Sequence, residues 1–171
     1  MASFHLPYPK FHSERKISFE NSLLFIGSCF SSNIGQLSVN HGLNTLINPF
    51  GTLFHPEPIM SSIQNAIRDS EEVFYVDTTN FVSDWNSAHL IQSSSKEAHL
   101  KLILEKRTRM RDALSGNAWL FITFGTSIAY RHISNDLVVA NCHKQQAELF
   151  RKESSSPFDM FTKWSEFIKE L

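Results

Sequence analysis

The amino-acid sequence predicts an α/β fold with a parallel central sheet. Three short strand-like runs at residues 23–26, 43–47 and 119–124 alternate with segments of helical periodicity, a pattern typical of parallel strands joined by helices. The first and third runs each end in a glycine that is followed by hydroxyl residues. We therefore expect helices on both faces of the sheet, with the first strand at its centre.

A βαβ unit is predicted early in the chain. Between the strands at 23–26 and 43–47, Ile34 and Leu37 lie at helical spacing, and Gly42 stands where a helix commonly ends. A helix that joins two parallel strands forms a crossover connection, which we expect to be right-handed.

Apolar spacing and turn residues predict the central elements. Pro56 and Pro58 suit the first turn of a helix that continues to Ile67. Residues 73–76 form a possible strand, and the periodicity of residues 96–114 indicates a long helix before the third apolar run.

The last third of the chain is predicted to hold a hairpin and two helices. The hairpin joins residues 128–132 to 137–141, and residues 142–152 have a helical pattern. Ser156 is a candidate N-cap for the final helix, whose predicted buried face consists of Phe161, Trp164, Ile168 and Leu171. Because no strand follows for that face to cover, we expect an incomplete domain that lacks its C-terminal part.

Composition indicates one domain over residues 1–171. The chain has 42% hydrophobic residues and a formal net charge of -1, from 16 Lys and Arg against 17 Asp and Glu. This balance gives no electrostatic attraction to nucleic acid or to an anionic membrane. The first residues lack the apolar core of a secretory signal, and no apolar run is long enough to cross a bilayer, which favours the cytoplasm. We expect Cys29 and Cys142 to be free thiols there.

Four separated motifs carry a resemblance to a known family. They are GSCFSSNIG at 27–35, NPFGTLFHP at 48–56, TFGTSIAYR at 123–131 and VVANCHK at 138–144. In this order they resemble the GSCFA family, although Ser31 replaces the alanine of the Gly-Ser-Cys-Phe-Ala motif. The resemblance implies the SGNH, or GDSL-like, hydrolase superfamily and therefore a three-layer α/β/α sandwich, of which this chain is the N-terminal part.

The resemblance places Cys29 at the nucleophile position, with Ser28 as the alternative nucleophile. A thiolate at a helix N-terminus is stabilised by free N–H groups and by the helix dipole. Two structural alternatives stay open: Cys29 is a small buried thiol, or the Ser28 hydroxyl caps the following helix. An activated Cys29 is predicted to react with iodoacetamide faster than Cys142.

The other motif residues are predicted to bind the substrate or its oxyanion. Gly51 corresponds to the superfamily glycine that supplies an oxyanion N–H, and a turn glycine is the alternative. The third motif lacks the asparagine of the superfamily's Gly-X-Asn-Asp pattern. The candidates are Gly27, Phe30, Asn48, Gly51, Gly125, Thr126, Ser127 and His89. Since the motifs follow parallel strands, we expect residues 27–30, Gly51 and residues 125–127 to meet in one crevice.

The superfamily takes its general base from an Asp-X-X-His segment, and this sequence contains none. His143, His89 and His55 are the candidates, each with a structural or surface alternative. Cys142 and His143 could bind a metal together with Cys29 or His89. No two of these residues form a ligand pair at a recognised zinc spacing, so neither a metal nor a cofactor is predicted. Arg131 is a candidate anion contact, with a salt bridge as the favoured alternative.

Two functions follow from these residues. The first is hydrolysis or transfer of an acyl ester, on a small molecule or a glycan, by Cys29 or Ser28. The alternative is a non-catalytic ligand-binding module or an inactive truncated copy. Because the general base is missing, little ester turnover is expected from this chain, and the sequence fixes no oligomeric state.

Overall fold

The computed structural model describes residues 13–171 and is a mixed α/β structure. In chain order the elements are β1 (Ser22–Gly27), α1 (Cys29–Asn40), β2 (Asn44–Ile47), α2 (Pro56–Ile67), β3 (Tyr75–Asp77), β4 (Val82–Asp84), α3 (Lys96–Leu114), β5 (Ala118–Thr123), β6 (Ile128–His132), β7 (Phe150–Ser154) and α4 (Pro157–Ile168). A short 3-10 turn, Ala147–Leu149, precedes β7.

A parallel sheet of three strands, in the order β2-β1-β5, organises the structure. Leu24 of β1 lies opposite Leu46 on one side and Leu120 on the other. The predicted parallel pairing, with the first strand at the centre, is confirmed. All three strands therefore end at the same edge of the sheet, where the motif residues follow them.

The side chains of β1 alternate between two apolar environments. Leu24 and Ile26 are fully buried in the main core, where they pack with apolar side chains of α2, α3 and α4. Leu23 and Phe25 point the opposite way and line a cavity of about 300 Å³ together with Phe30 of α1. Strand β1 thus has helices against both of its faces, as its continuous apolar sequence predicts.

Local signals explain where α2 and α3 begin. Pro56 occupies the first turn of α2, and the Nδ1 atom of His55 accepts the N–H of Glu57 at 3.2 Å. The Ser95 hydroxyl caps α3 by accepting the N–H of Ala98 at 3.2 Å. The predicted bounds of α3, residues 96–114, match the observed ones.

The predicted helix over residues 142–152 is wrong. Residues 147–149 make only a 3-10 turn, and β7 follows and pairs antiparallel with β6. The predicted hairpin partner, residues 137–141, contacts β6 through a single isolated bridge between Arg131 and Val138. Pairing with β6 overrides the helical propensity of the Lys-, Gln- and Glu-rich segment.

The predicted buried face of α4 is also wrong in most positions. Only Trp164 and Phe167 are buried, whereas Phe161 is 70% exposed, Ile168 61% and Leu171 53%. The core contact of α4 is therefore narrow and is rotated from the predicted stripe.

Across residues 13–171, no helix combines the length and the apolar character that crossing a membrane requires.

Candidate active site at the β1–α1 turn

The turn between β1 and α1 requires glycine at position 27. Gly27 has a φ of +130°, and a Cβ atom on it would lie 2.0 Å from the carbonyl oxygen of Thr123 in β5. The next N–H, that of Ser28, donates to the same carbonyl at 3.1 Å. The turn is therefore pressed against the end of β5, which fixes the start of α1 relative to the sheet.

Three hydroxyl groups form a chain beneath this turn. The Oγ atom of Ser31 lies 3.1 Å from the Ile26 carbonyl, which can only accept, so the Ser31 hydroxyl donates there. Ser31 then accepts from Thr123 Oγ1 at 2.7 Å, and Thr123 accepts from Ser28 Oγ at 2.9 Å. The Ser28 proton thus points inward, along a path that ends on backbone rather than on a base.

The two structural alternatives for Ser28 and Cys29 are both wrong. Ser28 is the N-cap residue of α1, but its side chain makes no capping hydrogen bond because it is bound to Thr123. Cys29 is an exposed free cysteine and the first residue of α1. The thiol consequently stands at a helix N-terminus whose N–H groups the Ser28 side chain leaves free.

Asn48 connects the second motif to the turn. Its Oδ1 atom accepts the N–H of Gly27 at 2.8 Å, and its Nδ2 atom donates to Ser32 Oγ at 2.7 Å. The Asn48 backbone, at a φ of 38°, also accepts the Gly51 N–H at 2.8 Å. The Gly51 N–H is therefore engaged within its own turn. The turn-glycine alternative is confirmed by a φ of +77°, and the oxyanion role of Gly51 stays a prediction.

The third motif reaches the turn through Gly125. A Cβ atom on Gly125 would lie 3.3 Å from Ser28 Cβ and 2.6 Å from a ring carbon of Phe54, whose carbonyl accepts the Gly125 N–H at 2.8 Å. Thr126 Oγ1 accepts the N–H of Ile128 at 2.9 Å. Asn48 contacts Gly27 and Gly125 lies beside Ser28, so the second and third motifs both reach the β1–α1 turn.

The other predicted site residues of these motifs lie close by. Phe30, the second residue of α1, is 60% exposed. Ser127 is exposed, and its carbonyl accepts the N–H of Ser155 at 2.8 Å. Their binding roles stay predictions.

The three candidate histidines differ in exposure. His143 is buried and donates from Nε2 to the Asp84 carbonyl at 2.8 Å, and burial lowers its pKa below the usual value. His55 is buried too, its Nε2 lies 2.8 Å from Ser155 Oγ, and burial lowers its pKa. His89 is exposed, and it lies on a loop whose Ala88 packs against Gly51. Within residues 13–171, no histidine is hydrogen-bonded to the Cys29 thiol.

A buried polar cluster that the sequence did not reveal holds the loop that carries His89. The Asp84 carboxylate accepts from His99 Nε2 at 2.9 Å, from Ser87 Oγ at 2.7 Å and from the Asn86 N–H at 2.8 Å. The Asp-Trp-Asn-Ser spacing is typical of a turn stabilised by an aspartate side chain, and this was the available signal. His99 is 15 residues from Asp84 in the sequence, and no sequence pattern indicated their contact.

One further sequence hypothesis is resolved by a contact. Arg131 is mostly buried and pairs with Glu153 at 2.7 Å, which raises the pKa of the guanidinium, so the salt-bridge alternative is confirmed. In the part of the chain that the structure describes, no three His, Cys, Asp or Glu side chains are arranged to hold a metal ion.

Comparison with known proteins places the geometry in a family context. Neither the comparison with curated proteins nor that with solved structures gave a match. The family model described as the GSCFA family matches residues 22–171, which span the β1–α1 turn, the Asn48 motif and the Gly125 motif. The chain therefore belongs to the GSCFA family.

Proposed function

We propose that this chain is an acyl-ester hydrolase or acyltransferase of the SGNH, or GDSL-like, type, with Cys29 as its nucleophile. The observation that carries the proposal is the exposed Cys29 thiol on the first residue of α1, beside N–H groups that no side chain of the turn caps. Ser28 is the weaker candidate because its proton is committed to Thr123. A strand, a glycine turn and a helix are the support that a nucleophile of this class requires.

The reaction begins with attack of the Cys29 thiolate on the ester carbonyl carbon. A carbon–sulfur bond forms, and the carbonyl oxygen becomes an oxyanion that the N–H groups at the start of α1 stabilise. Collapse of the intermediate breaks the bond to the alcohol oxygen, which leaves with a proton. Water, or an acceptor alcohol, then attacks the thioester and releases the acyl group from the thiol.

A histidine is expected to move the protons in both steps. His89 is the first candidate in this proposal, and its exposure on the loop whose Ala88 contacts Gly51 supports it. His143 is the second candidate, but its Nε2 proton is held by the Asp84 carbonyl and only Nδ1 can accept.

The proposal extends to architecture and setting. Helix α1 contacts one face of β1, and α2 and α3 supply the core on the other, which supports a three-layer α/β/α sandwich. The proposed substrate is a small-molecule or glycan acyl ester. Two free thiols suit the reducing cytoplasm, where we propose that the reaction occurs.

A non-catalytic ligand-binding module is the second candidate function. It is favoured by the Gly51 N–H, which already donates to Asn48 and so leaves the second predicted oxyanion donor occupied. In this alternative the surface around the β1–α1 turn holds a ligand, and the Cys29 thiol forms no acyl intermediate.

A single-turnover experiment with p-nitrophenyl acetate separates the two functions. We expect a stoichiometric burst of nitrophenolate and an acetyl group on the Cys29 peptide, with slow release afterwards. The Cys29→Ala variant should abolish the burst, whereas Ser28→Ala and Cys142→Ala should retain it. His89→Gln should slow acylation by about a hundredfold or more, and His143→Gln should slow it less. A missing burst in the folded wild-type chain favours the binding module.

Alkylation tests the thiol itself, without any ester chemistry. Cys29 is exposed at a helix N-terminus, whereas Cys142 is half-buried and burial raises its pKa. Iodoacetamide at neutral pH should therefore modify Cys29 first and at a clearly greater rate, measured by mass spectrometry of the two peptides. Equal rates, or faster labelling of Cys142, would argue against an activated Cys29.

A further inference from the structure

A groove with two basic residues lies behind the Asn48 motif. It encloses about 400 Å³ between the end of β2 and the middle of α3. Its lining includes the apolar residues Ile47 and Ile91 and the basic residues Lys106 and Arg109. We call it the basic groove.

The two cations of the basic groove are held next to each other without an acidic partner. Lys106 and Arg109 are three residues apart on α3, which places them on neighbouring positions of one helix face. Among residues 13–171, no carboxylate lies within 4.0 Å of the charged group of Lys106 or Arg109. By contrast, Arg111 of the same helix pairs with Asp69, which follows α2.

Burial makes the environment of Lys106 unfavourable for its charge. Desolvation and the nearby Arg109 both lower the pKa of Lys106, with only Glu105 opposing them. An anion placed between Lys106 and Arg109 would relieve the repulsion and replace the lost hydration. The two other polar side chains of the groove are already engaged: Asn48 is bound to Gly27 and Ser32, and the Thr45 hydroxyl donates to the Leu43 carbonyl at 3.1 Å.

We propose that the basic groove binds a small organic anion, whose acidic group pairs with Lys106 and Arg109 and whose apolar part lies on Ile47 and Ile91. The apolar wall distinguishes this ligand from a free inorganic ion, because only an apolar body gains from contact with it. The groove adjoins the proposed active site through Asn48 and Gly51, but Cys29 is not among its lining residues, so anion binding can be tested without acyl transfer.

Three probes test this proposal on the wild-type chain: benzoate, its neutral analogue benzamide, and inorganic phosphate. We expect benzoate to give saturable NMR shifts of backbone amides in residues 45–51 and 90–91. Benzamide should bind at least about tenfold more weakly because it lacks the charge, and phosphate because it lacks the apolar body. Binding of benzamide or phosphate as tight as that of benzoate, or no saturable shifts with benzoate, would overturn the proposal.

Substitutions then locate the charge. The Lys106→Gln/Arg109→Gln double variant should weaken benzoate binding by about tenfold or more. Lys101→Gln, on an exposed position of the same helix, should leave it unchanged. Both variants are compared after circular dichroism shows a native spectrum. Unchanged affinity in the folded double variant would contradict the assignment.

Discussion

At position 27 the backbone of β5 occupies the space that any side chain would need. The sequence signal for this was a glycine directly after an apolar run, and it predicted a turn. The signal carried no information about the neighbour, because Thr123 is distant in sequence and its carbonyl is met only once β1 and β5 pair. A turn glycine such as Gly27 can thus be recognised from the sequence, but the contact that makes glycine necessary there is seen only in the structure.

Replacing Gly27 with alanine should destabilise the chain by about 3–5 kcal/mol, because strain at positive φ adds to a collision with backbone. Gly116→Ala is the matched control: its φ is +71°, but a Cβ atom there has no neighbour within 4 Å. We expect the control to cost about 1 kcal/mol. Urea unfolding of the two variants, followed by circular dichroism, measures both. Equal costs would show that the close approach at Gly27 does not limit stability.

At the scale of elements, the hydroxyl chain joins three of them at the end where chemistry is proposed. Ser28 is the N-cap residue of α1, Ser31 lies in the first turn of α1, and Thr123 ends β5. The chain is anchored on the Ile26 carbonyl of β1. Buried networks of this type act as a unit, so their members are expected to be energetically coupled.

A double-mutant cycle tests that coupling. Thr123→Val and Ser31→Ala should each cost about 1–3 kcal/mol, because each leaves a buried partner unsatisfied. The double variant should cost less than the sum by about 0.5–3 kcal/mol. Ser62 provides the control, since its buried hydroxyl bonds only within α2, and Thr123→Val with Ser62→Ala should be additive. Additive costs for the first pair would contradict a shared network.

The success of sequence-based prediction also varied by element. The strands β1, β2 and β5 were predicted within one residue at each end. For β1 and β5 the signal was an apolar run followed by a glycine turn, and for β2 it was the βαβ pattern. Residues 142–152 were predicted as helix from local propensity, which carries no information about the pairing of β7 with β6. The face of α4 was misjudged because apolar residues surround the helix, so their spacing allows more than one stripe.

The candidate site followed the same division. Gly27, Ser28, Asn48 and Gly125 come after parallel strands, and strand direction alone brought them to one edge of the sheet. Partners were not predicted: the Asn48 contact with Gly27 and the Ser28 contact with Thr123 join distant parts of the sequence. Side-chain exposure, which separates Cys29 from the alternatives, is likewise a property of the packed structure.

At the scale of the whole molecule, two buried histidines link stability to pH. Burial is the leading cause of the lowered pKa of both His55 and His143. The folded state therefore binds fewer protons than the unfolded state near the ordinary histidine pKa of about 6.5. The stabilisation is fully present above that pH and is lost as the pH falls below it, through the lowered pKa values of the folded state. The hydrogen bond from Arg131 lowers the pKa of Glu153, so the stabilisation from this pair is lost only in more acidic solutions.

The free energy of unfolding should thus be nearly constant between about pH 8 and pH 7 and should decrease as the pH falls from about 7 to 5.5. Urea titrations at four pH values across this range measure the decrease. Because the linkage slope depends on the protonation difference at each site, the His55→Gln/His143→Gln double variant should show a flatter profile than the wild type. His41→Gln, at an exposed position, should keep the wild-type slope. A wild-type profile that is flat, or a double variant that is equally steep, would place the pH sensitivity in other groups.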